Sequence, residues 1–451
     1  MQAGETIFAL ATPAGRGALA VIRVSGPQAG AAVLALSGGA EDRMPAPRRA
    51  SLRRLKDPKS GAGLDEALVL WMPGPRSFTG EDCAEFHVHG GVAVADSILT
   101  ALGSISGLVP AEPGAFSRQA VLNGRMDLTA AEGIADLIDA ETEGQQQQAL
   151  RQMQGALGEI YERWRNTLTT SLAHIEADIE FAEEDLPGGL GASALDGLRD
   201  TLAAMHAHLA ESRGERLRDG VSVAIIGPPN AGKSSLINSL TSVEAAIVSP
   251  EAGTTRDVVE VALRLAGVPV RLADTAGLRE GETDVEVEGV RRARRRAREA
   301  ELRILVTAPD ALSVDQSDFD LLQEGDLWVV NKSDLADRGV AHDQMVNRNG
   351  KSIDHVISVR TGAGVSDLLA ALEQQIARQY GVSDRPVMTR LRHRQALQEA
   401  VDHLDRAFAA PALELAAEDV RLASRALGRI TGKVDVEALL DVVFNDFCIG
   451  K

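Results

Sequence analysis

Val221-Ser-Val-Ala-Ile-Ile226-Gly227-Pro-Pro-Asn230-Ala231-Gly232-Lys233-Ser234-Ser235-Leu-Ile-Asn-Ser-Leu240 reads as an apolar strand, a glycine-bounded loop and the opening of a helix. That setting matters, because G-x-x-x-x-G-K-S outside it occurs by accident in unrelated chains. The glycines let successive backbone N–H groups turn inward at a helix N-terminus, where the dipole favours negative charge. Lys233 is then placed to pair with β- and γ-phosphates, and Ser234 to give its hydroxyl to Mg²⁺. The stretch predicts a P-loop α/β domain.

Three more motifs follow in order: Gly253-Thr254-Thr255, Asp274-Thr275-Ala276-Gly277 and Asn331-Lys332-Ser333-Asp334. Thr255 would supply the second hydroxyl to Mg²⁺ once its loop closes. Asp274, at the end of the run Val270 to Ala273, would hold the metal through water, and Gly277 would offer its N–H to the γ-phosphate. Asn331 to Asp334 follows the apolar run Leu327 to Val330. One carboxylate accepts both the N1–H and the N2–H₂ of guanine, whereas adenine has no such donor pair. Leaving a buried carboxylate unpaired costs about 1–3 kcal/mol or more, enough to select GTP over ATP. Ser358-Val359-Arg360 forms the expected backbone wall beside the base. Each motif addresses a different part of one Mg·GTP, so the set predicts a GTPase.

With 451 residues the chain has room for about three domains. Apolar residues are 44% and aromatics only 3%, so its cores are built from Leu, Val, Ile and Ala. No apolar stretch approaches the roughly 18 residues of a membrane span, and Met1 to Ala20 lacks a charged region before an apolar run. The expectation is a cytoplasmic protein with no membrane contact. Cys83 and Cys448 make neither a disulfide framework nor a zinc site. A net charge of −18 excludes a chain that coats nucleic acid non-specifically, so any RNA contact is local or delegated to a partner.

Residues 1–120 mix strand-like runs (Leu19–Val24, Glu66–Met72, Ala84–Val88) with Gly- and Pro-rich turns and read as an α/β domain. From about 125 the pattern is helical: Leu150, Met153, Leu157, Ile160, Trp164, Leu168, Leu172, Ile175 and Ile179 step by three or four, and Leu195, Leu198, Leu202, Met205 and Leu209 do the same. Two long antiparallel helices are expected there. The helical pattern returns at Leu397, Val401, Leu404 and Phe408 and again from Asp419 to Phe447. The economical division is an N-terminal domain at 1–120, a helical domain split between 121–215 and 381–451, and a Ras-like P-loop GTPase domain inserted at 216–380.

Ala11-Thr-Pro-Ala-Gly-Arg-Gly17, Val21-Ile-Arg-Val-Ser-Gly26, Phe78-Thr-Gly-Glu-Asp82, His89-Gly-Gly91, Pro113-Gly-Ala-Phe116, Leu122-Asn-Gly-Arg-Met-Asp-Leu128 and Phe447-Cys-Ile-Gly-Lys451 resemble the MnmE (TrmE) family of tRNA-modification GTPases, from the first residues to the last. The resemblance implies an N-terminal domain like tetrahydrofolate-binding domains that also dimerises. It implies a homodimer that joins the flavoprotein MnmG in a heterotetramer and adds a carboxymethylaminomethyl group to C5 of the wobble uridine of certain tRNAs, using GTP and 5-formyltetrahydrofolate. By matched position Arg23, Glu85, Arg125 and Lys451 line the folate site, with Cys448 given a catalytic role near it. Arg125 stands where the family often has Lys, and a planar guanidinium is not a point-charge ammonium. Leu278 occupies the place of the water-orienting Gln of Ras-like proteins, and leucine cannot orient water. The resemblance supplies instead a K⁺ held by Asn230 and by Ser249, Glu251 and Thr254 of the following loop, with Glu286 orienting the attacking water beside Lys233. The remaining nucleotide contacts are Ala231, Gly232, Ser235, Thr275, Ala276, Lys332, Ser358, Val359 and Arg360.

Other readings are open for several segments. The run Arg291 to Arg298 follows Glu280, Glu282, Asp284, Glu286 and Glu288, an order that suits the dipole of a solvated helix better than an RNA patch. Glu85, His87 and His89 alternate onto one side of a strand, where a metal is the rival to folate. An Era-type ribosome-assembly GTPase would share the four motifs but append an RNA-binding KH module. A stand-alone folate-dependent one-carbon transferase would explain the N-terminal domain and leave the switch without purpose.

Overall fold

Alternating polar and apolar residues give Leu19–Ser25 and Cys83–His89 one core face and one face free for chemistry. The structure, a computed structural model, describes residues 4–37, 44–181, 189–242, 246–247, 260–274, 294–309, 316–335, 352–383, 385–434, 440–441, 443–444, 447 and 449–450. The chain divides into two compact units. One comprises Met1–Ala135, Gln152–Leu202 and Ala396–Lys451, and the other Asp136–Arg151 with Ala203–Gln395.

In the first unit six strands, β1 (Thr6–Leu10), β2 (Leu19–Ser25), β3 (Ser51–Lys56), β4 (Gly63–Met72), β5 (Cys83–His89) and β6 (Leu108–Pro110), form a sheet in the order β3-β4-β5-β2-β1-β6. All neighbours are antiparallel except β1 and β6. Phe8, Ile22, Val24, Val69, Ala84 and Phe86 pack with Ala29, Val33 and Leu36 of helix Ala29–Leu36 and Ile98 and Leu102 of helix Val92–Gly103. Period-two geometry then sends Ile7, Ala9, Arg23, Ser25, Cys83 and Glu85 to the opposite face. There Ile7 and Ala9 meet Ala115 and Phe116 of helix Ala115–Leu122.

The periodicity from Leu150 to Ile179 is not one helix but two, Glu143–Met153 and Ala156–Glu180, because the chain turns at Gly155 with φ 91°. Likewise Leu195 to Leu209 divides into Leu190–Asp196 and Arg199–Ala210. Helix Ala156–Glu180 lies along helix Leu413–Thr431, which buries Ala416, Val420, Ala423, Leu427 and Ile430. Polar pins fix this contact: Thr431 Oγ1 to Glu162 (2.7 Å), Thr169 to Ser424 (3.3 Å) and Arg421 to Glu176 (2.6 Å). The helical pattern expected from Asp419 to Phe447 is interrupted at Gly432, which caps helix Leu413–Thr431, and helical residues are described again at 440–441 and 443–444. Among the described residues no helix is long and apolar enough to cross a membrane.

The second unit carries a seven-stranded sheet of β7 (Val221–Ile226), β8 (Ala246–Ile247), β9 (Glu260–Leu265), β10 (Val268–Asp274), β11 (Leu302–Thr307), β12 (Leu327–Val330) and β13 (His355–Val356) in the order β13-β12-β11-β7-β10-β9-β8. The run from β13 to β10 is parallel, and β9 pairs antiparallel with both β10 and β8. Parallel strands are buried on both faces, which is why Val-Ser-Val-Ala-Ile-Ile and Leu-Trp-Val-Val read as nearly unbroken apolar runs. Val223, Ile225, Ile304 and Val329 pack with Leu236, Leu240, Leu368, Leu372 and Ile376 on one side, and Ala224, Ile226 and Leu305 pack with Ala297, Phe319 and Trp328 on the other. The segments leading into and out of this sheet share one carboxylate: Asp136 Oδ1 accepts from Arg218 Nε (2.9 Å) and Arg390 Nη2 (2.6 Å).

Candidate guanine-nucleotide site

The motifs meet because they terminate neighbouring parallel strands. Gly227 follows β7, Asp274 closes β10, Asn331 follows β12 and Ser358 lies just past β13. In open parallel sheets ligands bind at these carboxyl ends. Helix Lys233–Ser242 starts within the P-loop motif, so its dipole faces the same space.

A Cβ on Gly227 would lie 2.1 Å from the Val306 carbonyl oxygen, and one on Gly232 would lie 2.2 Å from Asn331 Nδ2. Both residues also take positive φ, 133° and 94°, so glycine is needed twice over. Asn230, exposed at φ 62°, sits in the left-handed region that Asn tolerates. The Lys233 ammonium is 7% exposed as a residue and donates to the Gly227 (2.8 Å) and Pro228 (2.9 Å) carbonyls, against the loop that would wrap phosphates. Ser234 and Ser235 are exposed in the first turn, and the Ser234 hydroxyl is the kind of hard oxygen donor that Mg²⁺ takes.

Asn331 is buried and joins three motifs. Its Nδ2 donates to the Ala231 carbonyl (2.9 Å), and its Oδ1 accepts from Val359 N–H (3.1 Å). Lys332, at φ 59°, then turns the chain so that Asp334 faces Ser358 and Arg360. Asp334 Oδ1 accepts from Ser358 Oγ at 2.5 Å, and the same Oγ accepts from Thr361 N–H at 3.3 Å. A carboxylate only accepts, so the serine hydrogen points at Asp334. This hydrogen bond, with a smaller contribution from the Arg360 charge, holds the Asp334 carboxyl below its usual range. Gly232, Ser235, Asn331, Lys332, Asp334 and Val359 line a cleft of about 440 Å³, a volume typical of small-ligand sites. The segment expected as a backbone wall thus also presents the Ser358 and Arg360 side chains to Asp334.

On the N-terminal sheet Arg23 and Glu85 stand opposite each other on β2 and β5. Arg23 Nε and Nη2 donate to Glu85 Oε1 at 3.0 and 2.8 Å, and His87 Nε2 lies 3.2 Å from Glu85 Oε2. Phe78 and Phe116 flank the guanidinium carbon at 5.3 and 5.6 Å. Arg125 is exposed, with its stem against Gly80 of the loop that carries Phe78. His89 turns to Asp65 (2.8 Å), so His87 and His89 serve different carboxylates. Gly450, at φ 96°, packs so closely that a Cβ would lie 2.2 Å from the Leu10 carbonyl oxygen at the end of β1.

Residues 6–125 match the family described as GTP-binding protein TrmE N-terminus, and residues 128–448 match the MnmE helical domain. The chain belongs to the MnmE family. Its relatives include the tRNA modification GTPase MnmE of Parvibaculum lavamentivorans, 53% identical over 99% of this chain and 100% of that one. The MnmE of Paramagnetospirillum magneticum is 51% identical with the same coverage of both chains. A human mitochondrial relative, 5-taurinomethyluridine-[tRNA] synthase subunit GTPB3, is 48% identical over 99% of this chain and 94% of its own.

Of the residues that the MnmE resemblance singles out, Ser249, Glu251, Thr254, Thr255, Thr275, Ala276, Gly277, Leu278, Glu286, Cys448 and Lys451 lie outside the described residues, as does the Asp274 side chain. The described remainder falls mainly into two groups: Asn230, Ala231, Gly232, Lys233, Ser234, Ser235, Asn331, Lys332, Asp334, Ser358, Val359 and Arg360 at the carboxyl ends of the parallel strands, and Arg23 with Glu85 on β2 and β5, while Arg125 lies against Gly80. Phe78 and Phe116 were not singled out as site residues, although both fall in segments that carried the resemblance.

Proposed function

We propose that this chain hydrolyses GTP and that the turnover serves tRNA modification. The observation that carries the reading is Asp334, oriented by Ser358 and tied through Asn331 to the P-loop of Lys233, so that one nucleotide can present its base to the first and its phosphates to the second. Mg²⁺, held by Ser234 and Thr255, would neutralise phosphate charge. Lys233 and the P-loop N–H groups would bind the phosphates, and Glu286 would orient water. K⁺ would sit at Asn230, Ser249, Glu251 and Thr254.

At a finer level, the modification is the addition of a carboxymethylaminomethyl group to C5 of the wobble uridine, performed in the cytoplasm by a homodimer with the flavoprotein MnmG. Support comes from near-full-length likeness to proteins named for tRNA modification. Residues 1–120, 121–215 with 381–451, and 216–380 are the working units of this activity. A 5-formyltetrahydrofolate would lie at Arg23, Glu85, Arg125 and Lys451. The chemistry fits, since Glu85 accepts from N–H groups, arginines bind carboxylates and two aromatic rings border the pair.

The test is turnover of GTP and ATP by purified protein in KCl and in NaCl at equal ionic strength, with mass spectrometry of wobble nucleosides from cells lacking their own enzyme, before and after complementation. GTP-selective, K⁺-stimulated turnover and restoration of the modified uridine are expected. Equal use of ATP would remove the guanine reading, equal rates in the two salts the K⁺ site, and an unchanged nucleoside profile the tRNA reading.

A further inference from the structure

Both oxygens of the base-reading carboxylate carry a protein donor. Ser358 Oγ gives its hydrogen to Oδ1 at 2.5 Å, and Arg360 Nη2 lies 2.6 Å from Oδ2. The two contacts differ in permanence. Ser358 is buried and its hydroxyl also accepts from Thr361 N–H, so it stays with the loop. The Arg360 side chain is 72% exposed against 12% for Asp334, so it reaches the carboxylate from the solvent side and is free to leave that way. A guanidinium is a planar array of N–H donors. Guanine presents N1–H and N2–H₂ as an edge of the same kind.

We propose that Arg360 is an internal stand-in for guanine, occupying Asp334 until a nucleotide displaces it. The inference rests on the assignment of Asp334 to guanine made above. It makes Arg360 a positioning residue: it keeps the carboxylate aligned while the cleft is empty, and it competes only with bases that need Asp334. The gate is weak, because an exposed ion pair shifts an equilibrium by no more than about five-fold.

Full-length protein carrying Arg360→Ala or Arg360→Lys is mixed rapidly with a ribose-labelled fluorescent GDP, at low and high KCl. Arg360→Ala should bind about two- to five-fold faster at low salt, with the gain shrinking at high salt as screening weakens the native pair. Loss of a positive charge by itself would slow capture of an anion, so acceleration cannot be a steering effect. Arg360→Lys keeps the charge without the planar edge and should fall between. In an Asp334→Asn background, assayed with xanthosine diphosphate, Arg360→Ala should give no gain, because an amide has no charge to hold the guanidinium. Association that is slower or unchanged in Arg360→Ala, or an equal gain in the Asn background, overturns the proposal. Failure of the parent protein to bind GDP would remove the Asp334 assignment and the gate together, and equilibrium titration reveals that case before any variant is compared.

Discussion

In the role proposed for Asp334, selectivity depends on the residue behind it. Ser358 spends its one hydrogen on Oδ1, which fixes the carboxylate plane and leaves acceptor capacity for a base with two donors. Asp334→Asn should therefore lower GTP affinity by about ten-fold or more and favour xanthosine triphosphate, whose O2 accepts where guanine donates. Equal GTP affinity of variant and parent in a competition titration would refute the assignment. Lys233, Asn331 and Asp334 are legible in the sequence because motif spacing and the flanking apolar runs constrain the same residues. Arg303 is not. It looks like a stray charge in Leu302-Arg-Ile-Leu-Val-Thr307, yet it is buried, pairs with Asp326 at 3.2 Å and donates to the carbonyls of Ala297 (2.5 Å) and Ala300 (2.8 Å). Nothing in a strand pattern announces a partner that lies before the next strand. Arg303→Ala should cost about 3–5 kcal/mol in denaturant unfolding, since the buried Asp326 carboxylate keeps the backbone N–H donors of residue 303 and Gln323 but loses its counter-charge. A loss within 1 kcal/mol, on the order of an exposed pair, would contradict that burial.

Among the elements, strands β2, β4 and β5 and helix Leu391–Ala409 follow their patterns closely, because alternation and three-to-four spacing report burial directly. Helix ends are less legible, since an apolar stripe continues in phase across Gly155 although the backbone does not. Helix Arg199–Ala210 carries a consequence for acid stability. Burial, then the charges of His393 and Arg394, push His208 down to about 4, while Glu211 pulls it the other way. Unfolded His208 takes up a proton near its ordinary value of 6.5 and folded His208 does not until about 4. Stability from this group is therefore full above 6.5 and is lost as pH falls through that window, by at most about 3 kcal/mol. His208→Gln should flatten the decline of melting temperature between pH 6.5 and 4 relative to the parent. Parallel curves for variant and parent would assign the acid limb to other groups.

For the molecule as a whole, the question is why residues after the last helices should matter to a site on the N-terminal sheet. Within the first compact unit Phe444 packs against Gly114, and Gly450 lies on the Leu10 carbonyl, where β1 runs beside Arg23 on β2. Sequence pattern alone could not bring these segments together. The resemblance did, by assigning Lys451 to the same ligand as Arg23 and Glu85, and the described residues carry the chain as far as Gly450. Gly450→Val tests the arrangement without deleting anything. Its side chain would meet the Leu10 carbonyl at 2.2 Å, and φ 96° is unfavourable to a β-branched residue, so the segment must lift away from β1. Paired titrations with 5-formyltetrahydrofolate and GDP should then show folate affinity reduced by about ten-fold or more, on the scale of a misplaced charged contact, with GDP affinity nearly unchanged because Lys233 and Asp334 belong to the other unit. An equal loss for both ligands would mean that the substitution damages the fold at large. Unchanged folate affinity would remove the segment around Gly450 from the site.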